Sequence, residues 1–242
     1  MSTFFDQQKK SFTEVPITNG KISTAEFLEA SEALIKLFGS SAFTVVQNDL
    51  SGNVTKVRTR LLADPAKSET LQDLVINEKA EKQTKATQGL LWLSRGLQFT
   101  AQSLRETIDN PDKELTKTFT DGYSKTLTKY HSIVIRPVFK LAMKACPYRK
   151  DFFEKLGADQ AKVNDQLKEW LEALEKIVQI IFEFFESGNY APFDEDEADD
   201  DEAVAEPEAE DEVFEEAFEL VEVEAIELET DVEAPLQTYE SP

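Results

Sequence analysis

The sequence predicts a layered, all-α domain followed by an acidic extension. Three observations carry this. Apolar residues recur at helical spacing almost throughout residues 23–187; strand-like alternation occurs only in the late run VEVEAIELE; and the 8 glycines of this 242-residue chain offer no Asn-Gly hairpin flanked by strands. Several of the helices are apolar on two faces, which demands a covering layer on each side.

The elements follow in order. Ser23 and Glu26 have capping-box spacing ahead of Phe27, Leu28, Leu34, Leu37 and Phe38. Val46, Leu50, Val54, Val57 and Leu61 carry a second helix at steps of four and three, and Leu71, Leu74 and Val75 open another. From Leu90 the stripe Leu93, Leu97, Ala101, Leu104 and Ile108 has Trp92 and Phe99 on its opposite side. Asn110 followed by Pro111 reads as the cap and first turn of the next helix, whose register Leu115, Phe119, Tyr123 and Leu127 keep. After His131, the residues Ile135, Phe139, Ala142, Met143 and Cys146 share one side, with Pro137 marking a start or kink and Pro147 the end. The last helix runs through Val163, Leu167, Trp170, Leu171, Leu174, Ile177, Val178, Ile181 and Phe185 to Gly188. The expected organisation is therefore an arm over residues 1–14, a domain over 15–188, and a linker with an acidic, disordered tail over 189–242.

Charge is divided just as sharply. The formal net charge is −22, yet residues 194–242 hold 23 of the 48 acids and none of the 26 bases, so the preceding 193 residues are close to neutral. Neither part carries the positive surface that holds a nucleic-acid backbone. The lone Cys146 forbids an internal disulfide and fits a reducing, cytosolic compartment, and MSTFFDQQKKSF places charge where a signal peptide needs an apolar run. No stretch approaches the roughly 20 apolar residues of a membrane span.

Catalytic groups are scarce. His131 and Cys146 lie fifteen residues apart, roughly 22 Å along a helix, too far for a nucleophile and its base. One His and one Cys build no zinc site, and no glycine-rich loop cradles phosphate. The expectation is a protein without catalysis, metal or cofactor.

A polar constellation stands out instead. Asp49, Asn53 and Lys56 sit at i, i+4 and i+7, beside the apolar sector of their helix. An ordinary solvated face is the common origin of such a group. The functional alternative is a cup in which an acceptor, an amide and a cation meet one polyhydroxylated head group. Trp92 and His131 likewise read as core residues or as a stacking platform and a hydrogen-bond donor.

The blocks FTVVQNDLSGNVTKV, ATQGLLWLSRGLQF and KYHSIVIRPVFKLAMKACPYRKDFF, in this order, resemble the glycolipid transfer protein family, and within it the fungal heterokaryon-incompatibility branch. The resemblance covers about residues 15–187. It implies an eight-helix, two-layer sandwich that carries one glycosphingolipid, of glucosylceramide or galactosylceramide type, between membranes as a monomer. It implies that Asp49, Asn53 and Lys56 bond the sugar hydroxyls, that Trp92 stacks on the first sugar, that His131 contacts the ceramide amide, and that Phe139 lines the acyl tunnel. A ceramide-1-phosphate carrier is the alternative, with Lys56 and Arg60 as its bases, although Trp92 stands where that branch has a phosphate-pairing Arg. A sensor that binds glycolipid without efficient transfer is a further alternative. Where animal members carry a membrane-inserting Trp, this chain has Ile133.

Residues 125–150 contain seven bases (Lys125, Lys129, Arg136, Lys140, Lys144, Arg149 and Lys150) and no acid. Either this is an ordinary basic surface, or it docks on anionic lipid through Ile133, Arg136, Lys140 and Lys144. In the latter case the tail is its natural electrostatic competitor. The tail also reads as a solubility appendage or, around Phe214, as a docking motif for a protein partner.

Overall fold

The computed structural model describes residues 1–38 and 44–191; the expectations about the tail lie outside them. Among the described residues, eight helices of eight or more residues follow one of four. They are α1 (Phe4–Gln7), α2 (Thr24–Ile35), α3 (Thr44–Ala63), α4 (Leu71–Ala80), α5 (Lys85–Asp109), α6 (Leu115–Lys125), α7 (Ile135–Lys144), α8 (Arg149–Leu156) and α9 (Gln160–Gly188). The expected all-α, two-layer sandwich is the fold observed.

The predicted two-faced burial is realised in α5, where Leu90, Leu93, Leu97 and Leu104 on one side and Phe99 on the other are all fully buried. Helices α3, α4, α6 and α9 pack around it. Phe99 meets the rings of Phe119 and Tyr123 from α6 at 5.8 and 6.4 Å. A fully buried Leu or Phe side chain contributes about 1.5–3 kcal/mol, so this axial helix concentrates much of the core.

Some local readings are corrected and others hold. An Asn-Gly hairpin does exist: β1 (Ile17–Thr18) pairs antiparallel with β2 (Lys21–Ile22), and Asn19 and Gly20 take φ of 53° and 77°. Two positive φ values match the twist of a tight hairpin, and strands of two residues are too short to show alternation. Gln72 of α4 holds the hairpin, accepting from the Ile22 N–H at 3.0 Å and donating to the Gly20 carbonyl at 3.2 Å. Ser23 precedes α2 as expected, but its hydroxyl bonds the Glu26 carboxylate and caps no backbone N–H. Asn110 closes α5 by donating to the Glu106 carbonyl at 2.9 Å, and α6 starts only after Glu114. Pro137 falls in the first turn of α7, where its missing N–H needs no partner. In the left-handed cap that ends α9 stands Asn189, one residue beyond Gly188, with φ of 46°.

The first fourteen residues pack on the last helix. Thr3 Oγ1 donates to Gln166 at 2.6 Å, Asp6 pairs with Lys162, and the rings of Phe5 and Phe12 lie 6.2 and 5.3 Å from that of Trp170.

Candidate functional site

The predicted trio lies along the seam between α3 and α5. At Gly89 an added Cβ would stand 2.8 Å from the Lys56 Cβ and 3.2 Å from the Asn53 carbonyl; at Gly96 it would stand 2.7 Å from Leu50 Cδ2 and 3.9 Å from Asp49 Oδ2. The two helices touch there because glycine leaves room. Trp92 comes three residues after Gly89 and four before Gly96, spacings that share one side of a helix. Asp49, Asn53 and Lys56 are thus brought to the flank of α5 that carries Trp92. Asn53 is 5% exposed and donates to the Asp49 carbonyl at 3.0 Å, which fixes its amide on the helix.

Trp92, only half-buried, joins a second cluster. Its indole lies 5.8 Å from the His131 imidazole with the planes 21° apart, and 6.4 Å edge-on from the Tyr130 ring. The buried Arg95 places its guanidinium carbon 4.7 Å from the Trp92 ring centre and 3.7 Å from that of Tyr130. Beneath, Phe139 is 2% exposed, with its ring 4.4 Å from His131 and stacked 5.6 Å from Tyr123. The aromatic series therefore runs from the half-exposed Trp92 into the apolar interior.

His131 is 7% exposed, and burial, reinforced by the positive charges of Arg136 and Arg95, pushes its imidazole down to about 4. It is neutral at pH 7. Tyr123 Oη lies 3.1 Å from His131 Nδ1, and burial raises the phenol so that it keeps its proton. A Tyr123 O–H donating to Nδ1 leaves His131 Nε2–H as a donor. Arg136 Nε donates to the carbonyls of Thr128 and His131 at 3.1 and 2.9 Å, pinning the backbone that presents the ring. Burial pushes the Cys146 thiol up to about 12, so no thiolate forms at neutral pH.

The seven bases of residues 125–150 have separate assignments. Lys125 pairs with Glu106 at 2.7 Å, which with Lys113 holds that carboxyl down at about 2. Arg149 donates to the Thr107 carbonyl, Lys150 lies 3.8 Å from Glu154, and Lys129 sits over the Tyr130 ring. Arg136 is committed to the backbone, so of the four docking candidates Ile133, Lys140 and Lys144 stand exposed. Ile133 and Val134 are 81% and 80% exposed. No helix of the described residues is long and apolar enough to cross a membrane.

Arg95, Tyr130 and Tyr123 adjoin this candidate site and were not singled out for it in the sequence. Arg95 had a signal, since it follows Trp92 by three and so shares its side of α5. Tyr130 had only its place next to His131.

The glycolipid transfer protein family profile matches residues 22–158. A glycolipid transfer protein of Aureobasidium melanogenum is 53% identical over 188 residues, which cover 76% of this chain and 94% of that one. The crystal structure of HET-C2, a fungal glycolipid transfer protein, superposes with a TM-score of 0.75 at 48% identity, covering 78% of this chain and all of that one. The structure that describes how FAPP2 selects simple glycosphingolipids aligns with a TM-score of 0.73 at 30% identity over 79% of this chain and 98% of its own.

Proposed function

The chain belongs to the glycolipid transfer protein family, and from that premise we propose that it carries single glycosphingolipid molecules between membranes. One observation carries this most: Asp49, Asn53 and Lys56 lie on the α3 side of the seam whose α5 side holds Trp92, with His131 stacked against the indole. A carboxylate, an amide and an ammonium recognise sugar hydroxyls, an indole suits the apolar face of a pyranose, and a neutral imidazole N–H donates to an amide carbonyl. Phe139 continues the aromatic series toward the chains.

The energetic problem such a carrier solves is large. A two-chain lipid exposes on the order of 30 methylenes at about 0.8 kcal/mol each, or about 24 kcal/mol, on leaving a membrane unaided. An apolar interior replaces that exposure with protein contact. Carriage of this kind involves no covalent step: the lipid is bound, moved and released unchanged. The carrier unit is residues 15–188 with the amino-terminal segment packed on it, working as a cytosolic monomer that docks transiently through Ile133, Lys140 and Lys144.

A ceramide-1-phosphate head group is the second reading, favoured by the buried cation Arg95 beside Trp92. Transfer of fluorescent galactosylceramide and of ceramide-1-phosphate between vesicles, measured for the full chain and for Asp49→Ala and Trp92→Ala, separates the two. Galactosylceramide transfer that survives both substitutions overturns the site assignment.

A further inference from the structure

The chain leaves the folded domain at one defined corner. Beyond α9 the Tyr190 ring stacks 4.6 Å from that of Phe184, while Lys79 at the end of α4 sits 4.7 Å above Tyr190 and donates to the Asn189 carbonyl at 3.3 Å. Four residues later begins the run Asp194–Glu202, eight acids in nine residues. At roughly 3.5 Å per extended residue its first carboxylate reaches at most about 14 Å from Tyr190.

Directly after Lys79 and the end of α4 comes the turn between α4 and α5. Lys82 and Lys85, three and six residues past Lys79, are exposed and form no ion pair among the described residues. The acids of the same corner are already engaged. Glu78 accepts from the N–H groups of Ala86 and Thr87, and Glu81 is held down at about 2 by Arg60 and Lys67. Glu183 and Glu186 are exposed in the last two turns of α9 and repel the run from that side. Lys85 stands one turn before Gly89, which abuts Lys56, so this basic strip leads from the exit to the rim of the head-group site.

We propose that the acidic run Asp194–Glu202 docks on the α4–α5 turn through Lys82 and Lys85, and that in doing so it restrains lipid exchange at the adjoining site. The regulatory half rests on the proposed function; the docking half does not. A tether of a few residues gives an effective concentration on the order of millimolar, enough for a few ion pairs to hold the run at low salt. The earlier expectation set the tail against residues 125–150, but proximity favours this corner.

Carbodiimide, which condenses a carboxylate with a lysine amine, maps the contact in the full-length chain. Peptide mass spectrometry is expected to find Asp194–Glu202 joined to Lys82 and Lys85 at low salt, and the links lost near 1 M salt, where the Debye length is about 3 Å. Links made chiefly to Lys140 and Lys144, or none, overturn the docking. The variant Lys82→Glu/Lys85→Glu is expected to transfer galactosylceramide about threefold faster at low salt; unchanged transfer overturns the restraint. A chain that transfers no glycolipid at all refutes the carrier reading while the cross-link map still decides the docking.

Discussion

The imidazole of His131 and the indole of Trp92 stack with their centroids 5.8 Å apart, although 39 residues separate them in the chain. The stack couples α5 to the segment before α7, so the two residues act as one surface. Replacing Trp92 by Ala is expected to lower galactosylceramide transfer roughly tenfold, the equivalent of about 1.4 kcal/mol of lost head-group contact. Because the indole is only half-buried, the melting temperature should move by just a few degrees. Trp92→Phe, which keeps a ring, should fall between. Vesicle transfer assays paired with thermal melts check both.

Arg95 lies against Trp92 and Tyr130 and so orients the platform without being the platform. Lysine keeps the charge but lacks the planar guanidinium that stacks. Arg95→Lys is therefore expected to lose most of the transfer lost in Arg95→Gln, and Tyr130→Phe to behave as the parent while Tyr130→Leu does not. Trp92 emission in a Trp170→Phe background should shift in step with the transfer rates. An unshifted spectrum with impaired transfer would count against the positioning role.

Stability should depend on pH through His131. An unfolded imidazole titrates near 6.5, the folded one near 4. Between these values the unfolded chain binds a proton that the folded chain rejects, so stability falls as pH falls. About 2 kcal/mol should be lost between pH 8 and pH 5. Glu106 extends the loss at lower pH, since its unfolded carboxyl protonates near 4.5 and its folded one only near 2. Urea titrations of the parent and of His131→Gln test this: the variant should be flat from pH 8 to 5 yet still weaken below 4.5.

Membrane association should separate into an apolar and an ionic part. Ile133→Glu is expected to weaken binding to neutral and anionic vesicles alike. Lys140→Glu/Lys144→Glu should weaken binding only to anionic vesicles, by roughly 1 kcal/mol or about fivefold for each base removed, with the difference vanishing at high salt. Vesicle sedimentation across salt concentrations measures both.

Where the helical period ran long it predicted the structure closely. The stripes from Val46 to Leu61, from Leu90 to Ile108 and from Val163 to Phe185 became α3, α5 and α9 with the named residues inward. The readings that failed depended on which of two partners a polar group would choose. Asn110 was free by sequence to start a helix or finish one, and the Glu106 carbonyl one turn earlier decided it. Ser23 found a side chain in place of a backbone N–H. The polar trio was legible because i, i+4 and i+7 lie on one helix. The Arg95–Tyr130 contact was not, because two elements far apart in the chain create it, whereas the spacing to Trp92 pointed only to the partner on the same helix.

The packing of Thr3, Asp6, Phe5 and Phe12 on Lys162, Gln166 and Trp170 also sets a schedule for synthesis. A ribosome makes the amino-terminal phenylalanines first and their receptor roughly 150 residues later, a delay of about 8–30 s at 5–20 residues per second. Throughout that interval Phe5 waits for Trp170, while Phe12 has Phe27 as an earlier neighbour. The amino-terminal packing can therefore be completed only after Trp170 has emerged, and any chain that terminates before Trp170 leaves Phe5 as a standing target for chaperones.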